Sequence, residues 1–237
     1  MQYEGSELEL FADARNWKSY VRDRISPYIS GNVLEVGAGI GAFTEFLAGP
    51  SCTSWTCLEP DPALLAEIPR RQESGRIARP VSTICGTLAD IPAGDRFDTI
   101  IYLDVMEHIL DDTTEAQAAA AKLAPGGHLI ILVPAFQFAY SPFDAAIGHH
   151  RRYDRPRLEQ IRPNTLTRIT TFYMDAPGLT LSLANRMLLK SASPGKDQIK
   201  FWDTTIVPIA RILDPILARS FGRSLVAVWR NGGEVSK

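Results

Sequence analysis

A glycine-rich stretch near the start of the chain limits what this sequence can fold into. Residues 33–44 are VLEVGAGIGAFT, with three glycines in five positions directly after an apolar run. Because glycine has no Cβ, the backbone at Gly37, Gly39 and Gly41 can turn tightly and approach a ligand closely. With the small Ala42 in the last position, the spacing satisfies the fingerprint of a turn that binds dinucleotides. The stretch therefore predicts a ligand site at the end of a first strand.

The acidic residues near this stretch indicate what kind of ligand it holds. Glu35 stands two residues before Gly37, where its carboxylate would repel a pyrophosphate and favour a positively charged ligand. Glu59 ends a second apolar run, and a carboxylate at that position can accept hydrogen bonds from both ribose hydroxyls. S-adenosylmethionine (SAM) carries a ribose, an ammonium and a sulfonium but no phosphate, so it fits both carboxylates. The competing ligand is a nicotinamide dinucleotide, whose ribose would fit Glu59 but whose pyrophosphate would be repelled by Glu35.

Strands and helices alternate along the first part of the chain, which indicates an α/β fold. The predicted strands are uniformly apolar, as expected for a parallel sheet that is covered on both faces. They cover residues 33–36, 54–58, 81–85, 97–103 and 127–133, the last introduced by a turn at Pro125-Gly126-Gly127. Helices are predicted over residues 7–28, from residue 40, from Pro62 and over residues 113–123.

The pattern changes after Pro134. An aromatic and basic loop follows, and the rest of the chain is predicted to add helices and two strands. The predicted elements are a loop over residues 135–153, a helix from Asp154, a strand over residues 166–173, an irregular stretch over residues 174–203, a helix over residues 204–220 and a strand over residues 224–229.

Composition narrows the class of protein. The chain has 237 residues with 45% hydrophobic residues and a net charge of -2, which suits one globular domain and argues against a nucleic-acid partner. Cys52, Cys57 and Cys85 are odd in number, so we expect reduced thiols in a cytoplasmic protein rather than a disulfide framework. No signal peptide is recognised, and no apolar run reaches the roughly 18 residues that a membrane span requires.

Several linked motifs together resemble a known family. The segments LEVGAGIG, LEPDP, FDTIIYLDVMEHILDD and LAPGGHLIILVP follow the order and spacing of class I SAM-dependent methyltransferases over residues 15–153. The segment FDAAIGHHRRY is similar to a bacterial subgroup with a GHxRRY loop, whose members accompany sugar-polymer or lipid-linked glycan machinery or act on small metabolites. SLVAVW resembles the family's antiparallel last strand.

This resemblance implies a Rossmann-like α/β fold with a mostly parallel seven-stranded sheet, an antiparallel last strand and helices on both faces. It implies one domain over residues 1–237, with a helical lid over residues 1–31 and substrate-side insertions within residues 135–222. It also implies a cofactor site formed by Glu35, Gly37, Ala38, Gly39, Gly41, Glu59, Thr87, Leu88, Asp90, Leu103, Asp104 and Val105.

The histidines are the main catalytic candidates, because methylation of a hydroxyl requires removal of its proton. His149 and His150 come first, followed by Asp144 and His108. His108 has a competing interpretation as a structural or helix-capping residue. Predicted substrate residues are Tyr140, Phe143, Arg152 and Tyr153. Alternatively, the arginines of this loop pair with carboxylates and fix it over the sheet.

No metal site is predicted, because adjacent histidines do not present their nitrogens to one ion as i, i+4 spacing on a helix does, and no separate ligand cluster is recognised in the sequence. Trp17 and Tyr20 have two open interpretations, a lid over the cofactor and core packing. The helix over residues 204–220 has an apolar stripe that we expect to pack on the domain; the alternative is peripheral contact with a membrane surface.

The sequence therefore predicts a SAM-dependent methyltransferase that acts on an oxygen or nitrogen atom of a small-molecule acceptor. The acceptor would be a secondary metabolite or a sugar- or lipid-linked glycan precursor. Two alternatives stay open: an NAD(P)-dependent Rossmann oxidoreductase, and a SAM-binding subunit that supports a partner without catalysing a reaction.

Overall fold

The computed structural model describes residues 11–188 and 195–232, which form a seven-stranded sheet with helices on both faces. The strands are β1 Gly31–Val36, β2 Cys52–Glu59, β3 Ser82–Cys85, β4 Phe97–Leu103, β5 Leu123–Pro134, β6 Leu166–Met174 and β7 Ser224–Asn231. Their order across the sheet is β3-β2-β1-β4-β5-β7-β6. Strand β7 is antiparallel to both of its neighbours, and the pairs from β3 to β5 are parallel. This confirms the predicted fold class.

Ten described helices surround the sheet. They are α1 Arg15–Ile25, α2 Thr44–Leu47, α3 Pro62–Leu65, α4 Glu67–Glu73, α5 Asp112–Ala121, α6 Pro142–Ala146, α7 Arg155–Gln160, α8 Ala176–Leu188, α9 Lys196–Phe201 and α10 Val207–Ile216, with a π-helical turn over Trp202–Ile206 joining the last two. Successive strand residues face opposite sides of the sheet. Val33 accordingly packs with α1 in one core, whereas Leu34 packs in the core on the other face.

Two of the predicted boundaries differ from the structure for local reasons. The first helix was predicted over residues 7–28, but α1 begins at Arg15; residues 1–10 lie outside the described part of the chain. The Pro125-Gly126-Gly127 segment does not precede β5 but forms a bulge within it, because Leu123 already pairs with Phe97 and His128 then pairs with Thr99. A Cβ on Gly127 would lie about 3.0 Å from the Asp98 carbonyl oxygen, so any larger residue would require the neighbouring backbone to shift.

The stretch that the sequence analysis predicted as irregular, residues 174–203, is mostly helical where it is described, since it contains all of α8 and α9. Asp214 of α10 explains how α8 begins, because its carboxylate accepts hydrogen bonds from the backbone N–H groups of Asp175 and Ala176 at 2.7 and 3.0 Å. This support comes from a residue distant in sequence, so local pattern alone does not reveal it.

The predicted packing of the apolar stripe on α10 is wrong. Ile212 and Ile216 are 67% and 73% exposed, and Ile209 and Leu213 are exposed as well. The helix instead buries the face that carries Asp214, whose carboxylate also accepts a hydrogen bond from the Tyr20 hydroxyl at 2.8 Å. Within residues 11–188 and 195–232, no helix has the length and apolar character needed to cross a bilayer.

Candidate functional site

A cavity of about 850 Å³ lies at the carboxyl ends of the parallel strands. This is where open α/β sheets bind ligands, because the loops that follow the strands meet at that edge. Its wall includes the glycine loop after β1, the end of β2, the loop after β3, the end of β4 and the loop after β5. One cavity therefore connects the two regions that the sequence analysis selected, residues 35–41 and residues 143–152.

The glycine loop has a backbone conformation that other residues rarely adopt. Gly37, Gly39 and Gly41 have φ angles of 67°, 54° and 74°. A Cβ on Gly37 would lie 2.5 Å from the Cγ2 atom of Val105, so the loop packs directly against the segment that follows β4. Glycine is needed here both for the turn and for this close approach.

Glu59 joins the end of β2 to the glycine loop. Its Oε2 atom accepts a hydrogen bond from the Gly39 N–H at 2.9 Å, and its Oε1 atom accepts one from the Asp61 N–H at 3.0 Å. The side chain is buried apart from a contribution to the cavity wall. Burial raises the pKa of Glu59, while the two backbone hydrogen bonds oppose that rise. The carboxylate is thus held in one orientation beside the cavity.

Glu35 is also held from inside the protein. Its Oε2 atom accepts hydrogen bonds from the Thr44 hydroxyl at 2.6 Å and from the Trp55 indole N–H at 2.9 Å. Burial raises the pKa of Glu35 to about 7, although both hydrogen bonds favour the ionised form. Glu35 lines the cavity and at the same time connects β1, β2 and the first turn of α2.

Two further strand ends complete this side of the cavity. Thr87 and Leu88 line it, whereas Asp90 does not; the exposed Asp90 carboxylate instead accepts hydrogen bonds from the Thr87 N–H and hydroxyl at 2.8 and 3.0 Å. Asp104, at the end of β4, has a φ of 55°, a strained conformation for a residue with a side chain. Asp104 is exposed to solvent in the cavity, yet the protein around its carboxyl displaces enough water to raise its pKa to about 6. Leu103 and Val105 line the cavity beside it.

On the opposite side, Asp144 orients His149. The Asp144 Oδ1 atom lies 3.0 Å from the Nδ1 atom of His149, and the Arg152 guanidinium donates to both carboxylate oxygens at 2.9 Å. Although burial opposes ionisation, these hydrogen bonds hold the pKa of Asp144 well below its usual range. Asp144 is therefore an ionised acceptor that fixes the imidazole ring, as carboxylates behind functional histidines do.

Glu107 is a site residue that the sequence analysis did not select. It is completely buried, and neither of its carboxylate oxygens accepts a hydrogen bond from any other described residue. The Nε2 atom of His149 is 3.7 Å from Glu107 Oε1, and the rings of His108 and His149 meet edge to face at 4.6 Å. Burial, followed by the nearby charge of Asp104, raises the pKa of Glu107 well above its ordinary value. Burial and the neighbouring histidines lower the pKa of His108 to about 4.

The structure separates the predicted acceptor-side residues into two groups. Phe143, Arg152, His108, His149 and His150 line the cavity. Tyr153 is a correction, because it is fully buried and its hydroxyl bonds to the Met106 carbonyl at 3.0 Å and Asp112 at 2.9 Å. Tyr140 is outside the cavity wall and donates to the His149 carbonyl at 2.7 Å. Both tyrosines shape the loop and do not face the cavity.

The remaining wall comes from the N- and C-terminal segments of the described chain. Trp17 lines the cavity and is buried, so it combines the roles of core residue and cover, whereas Tyr20 packs in the core. Asp203 holds α1 in place by accepting a hydrogen bond from the Trp17 N–H at 2.8 Å. Arg223 also lines the cavity, with its guanidinium 4.4 Å from the Trp202 ring. Sequence reasoning did not connect these segments because their residues are far apart in the chain.

The strand order, the glycine loop and the acidic residues at the ends of β1 and β2 define the class I SAM-dependent methyltransferase fold. The chain belongs to the family described as the methyltransferase domain, whose model matches residues 12–173.

Individual relatives are similar over part of their length. Nodulation protein S of Rhizobium tropici is 33% identical over 103 residues, which cover 42% of this chain and 41% of that protein. A tRNA U34 carboxymethyltransferase of Shewanella denitrificans is 26% identical over 117 residues, covering 49% and 36% of the two chains. The matches thus span less than half of these relatives.

Among solved structures, the N-methyltransferase NodS from Bradyrhizobium japonicum, in complex with S-adenosylhomocysteine (SAH), superposes with a TM-score of 0.56 at 20% identity. The match covers 92% of this chain and 85% of that one. At this identity the likeness establishes the shared fold.

Proposed function

We propose that this protein transfers a methyl group from SAM to an oxygen or nitrogen atom of a small-molecule acceptor. The observation that carries the proposal is the single cavity, which extends from the glycine loop and Glu59 to His149. In-line transfer requires the two reactants to meet in one enclosed space, and holding them there is worth up to about 7–11 kcal/mol.

The chain's own residues fit the cofactor. The tight glycine loop leaves room for a ligand close to the backbone, and Glu59 is oriented to accept hydrogen bonds from ribose hydroxyls. Thr87 and Leu88 would border the adenine, and Leu103, Asp104 and Val105 the reacting end. When bound, SAM supplies an electrophilic methyl group on a positively charged sulfur. Asp90 supports this site indirectly, through its hydrogen bonds to Thr87.

The acceptor's reacting atom lies, in this proposal, against Glu107, His108 and His149. The three side chains line the same cavity as Glu35 and Glu59, the acidic residues of the cofactor side. An amine that is already neutral needs no proton removed, whereas a hydroxyl does, and this cluster supplies the polar groups for that step. Asp144 is a positioning residue, because its oxygens are already occupied by His149 and Arg152.

Cavity size and charge favour a small acceptor. About 850 Å³ lies within the range of small-molecule sites, and a net charge of -2 does not provide the basic footprint of a general RNA-binding surface. The similarity of the FDAAIGHHRRY segment to a glycan-associated subgroup makes sugar- or lipid-linked precursors the first acceptors to test, with small secondary metabolites next.

The test is methyl transfer from methyl-labelled SAM to a cell extract divided into small molecules, lipids, RNA and protein. We expect label in the small-molecule or lipid fraction and none with the Gly39→Val chain as control. Label in the RNA fraction alone would contradict the small-molecule proposal. Absence of any transferred label, with SAH still binding, would favour a SAM-binding subunit without catalysis.

A further inference from the structure

The starting point is the orphaned carboxylate of Glu107. Its side chain is completely buried, and no other described residue donates a hydrogen bond to either oxygen. Buried carboxylates in proteins are normally paired, hydrogen-bonded or bound to a metal, because an isolated one is costly to remove from water. Glu35 and Glu59 in the same cavity both have hydrogen-bond partners, so Glu107 stands apart from its neighbours.

Two histidines surround this carboxylate at a spacing that suits a metal ion. One ligand atom each from Glu107, His108 and His149 lie within 4.8 Å of one another. The Glu107 Oε1 and His149 Nε2 atoms are 3.7 Å apart. Ligands bound at about 2.0–2.1 Å in a tetrahedron are roughly 3.3 Å apart, so side-chain rotations that bring these atoms closer by up to about 1.5 Å would complete the site.

The orientation of the histidines also suits ligation. Because the Asp144 carboxylate lies 3.0 Å from Nδ1 of His149 and accepts its proton, the lone pair of that ring is on Nε2, which lies 3.7 Å from Glu107. A histidine that donates its other nitrogen to a carboxylate is the usual arrangement around bound metals. The His108 ring meets the His149 ring edge to face at 4.6 Å, so both imidazoles lie beside the Glu107 carboxylate.

We propose that Glu107, His108 and His149 bind a divalent transition-metal ion, with the acceptor's hydroxyl oxygen as a further ligand. Two imidazoles and one carboxylate are a ligand set typical of catalytic Zn²⁺ sites with an open position, whereas Mg²⁺ and Ca²⁺ prefer oxygen ligands. The cavity borders all three residues and gives an acceptor access to that position.

This inference rests on the proposed function and specifies how a hydroxyl acceptor is activated. A cation at this position lowers the pKa of the hydroxyl, so the O–H bond breaks and the proton passes to water. The oxygen's electron pair then forms the bond to the methyl carbon while the carbon–sulfur bond breaks and its pair remains on sulfur. In this scheme His149 is a ligand and does not accept the proton.

The test is titration of Zn²⁺ into the metal-stripped chain, free of any histidine tag and of SAM, by calorimetry. A Cys85→Ser background removes the exposed thiol as a competing ligand. We expect one ion per chain, an affinity at least 100-fold weaker in Glu107→Gln, and a 10–100-fold loss in Asp144→Asn, which keeps all three ligands but weakens the support of His149 and the ion pair to Arg152. His128→Gln is the matched control: that histidine is on β5 outside the cluster and should leave the affinity unchanged.

Binding of SAH shows that each variant is folded; if Glu107→Gln does not bind SAH, His108→Gln takes its place. Absence of Zn²⁺ binding to the parent chain, or unchanged affinity in the cluster variants, would overturn the inference. Methyl transfer that persists in that case leaves the proposed function intact. Conversely, Zn²⁺ binding without any methyl transfer would overturn the proposed function and retain the site.

Discussion

The two sides of the cavity differ in how their polar groups are satisfied. The cofactor side, defined by Glu35, the glycine loop and Glu59, is tied together by hydrogen bonds that exist within the protein itself. The acceptor side, defined by Glu107, His108 and His149, includes a buried carboxylate for which no other described residue supplies a donor. The carboxylates of the cofactor side are therefore hydrogen-bonded even without a ligand. The Glu107 carboxylate of the acceptor side, in contrast, has no donor among the other described residues.

This difference has a physical consequence for how each side functions. Preorganised donors and acceptors bind a ligand without reorganising, which suits a cofactor that every catalytic cycle uses. An unsatisfied buried charge instead costs free energy until a cation, a proton or an acceptor group compensates it. We therefore expect substitutions on the cofactor side to change binding of SAH, and substitutions on the acceptor side to change turnover.

His149→Gln should have the largest effect and should separate the two sides. It removes the imidazole that faces Glu107 while keeping a side chain that can hydrogen-bond to Asp144. Turnover of the identified acceptor should fall by about 10²–10⁴-fold, because the group that promotes loss of the acceptor's proton is removed, whether that group is the imidazole itself or the cation it helps to hold. The affinity for SAH, measured by calorimetry, should change less than about twofold.

His150→Gln is the matched control, because this neighbouring histidine lines the cavity but lies outside the cluster. Its turnover should stay within about tenfold of the parent chain. Loss of SAH affinity in His149→Gln would assign that residue to the cofactor and remove the distinction between the two sides.

Gly39→Val tests the cofactor side at the backbone. The φ of 54° at Gly39 disfavours a β-branched residue, and its N–H is the group that orients Glu59. SAH affinity should fall at least about 100-fold, with helix and strand content retained by circular dichroism. Gly75→Val makes the same kind of change at a φ of 76° where nothing is within 4 Å, so it should bind SAH normally. Equal loss in both variants would indicate general destabilisation.

Glu35→Gln should change how stability depends on pH. Burial raises the pKa of Glu35 from 4.5 to about 7, so the folded chain holds a proton that the unfolded chain has released between these values. The free energy of unfolding therefore falls as pH rises through this window, by roughly 3 kcal/mol in total. Glutamine can still accept from Thr44 and Trp55 but has no proton to release.

Urea unfolding at pH 5 and pH 8 measures this effect. The stability of Glu35→Gln relative to the parent chain should improve by up to about 3 kcal/mol between the two pH values, while the exposed Glu73→Gln should follow the parent. A constant difference between Glu35→Gln and the parent chain would mean that Glu35 is ionised throughout, and that its environment compensates the charge.

Glu59→Ala should give the smallest of these effects, on cofactor affinity alone. Loss of hydrogen bonds to a charged acceptor costs about 1.5–3 kcal/mol, which corresponds to a roughly 10–100-fold weaker affinity for SAH. The hydrogen bonds to Gly39 and Asp61 are lost as well, so Glu59→Gln, which keeps a carbonyl oxygen in place, should lose less. Unchanged affinity in a folded Glu59→Ala chain would exclude Glu59 from the ribose site.

The cofactor side of the cavity could be predicted from the sequence more completely than the acceptor side. The cofactor side is built from short motifs next to apolar strands, so β1, β2 and β4 and the acidic residues at their ends could be located from the sequence alone. The acceptor side is assembled from Glu107 after β4 and His149 after β5. Sequence pattern selected His149 but not Glu107, and only the parallel pairing of β4 and β5 brings the two residues together.

Burial was the other property that sequence pattern could not determine. Helical spacing correctly showed that Ile209, Ile212 and Ile216 share a face of α10, but which face packs inward depends on Asp214 and its bonds to Tyr20 and Asp175. The aromatic character of residues 135–153 suggested contact with a substrate, yet the Tyr153 hydroxyl is used inside the protein.

The most direct test of the account is calorimetric titration of the unmodified chain with SAH and then with NAD. The central claim is that the cofactor side accepts a ligand with a ribose and positive charge and excludes a pyrophosphate beside Glu35. We expect one SAH per chain and no binding of NAD, even as a competitor of SAH. Binding of NAD at the same site, or absence of SAH binding by the folded chain, would contradict the account.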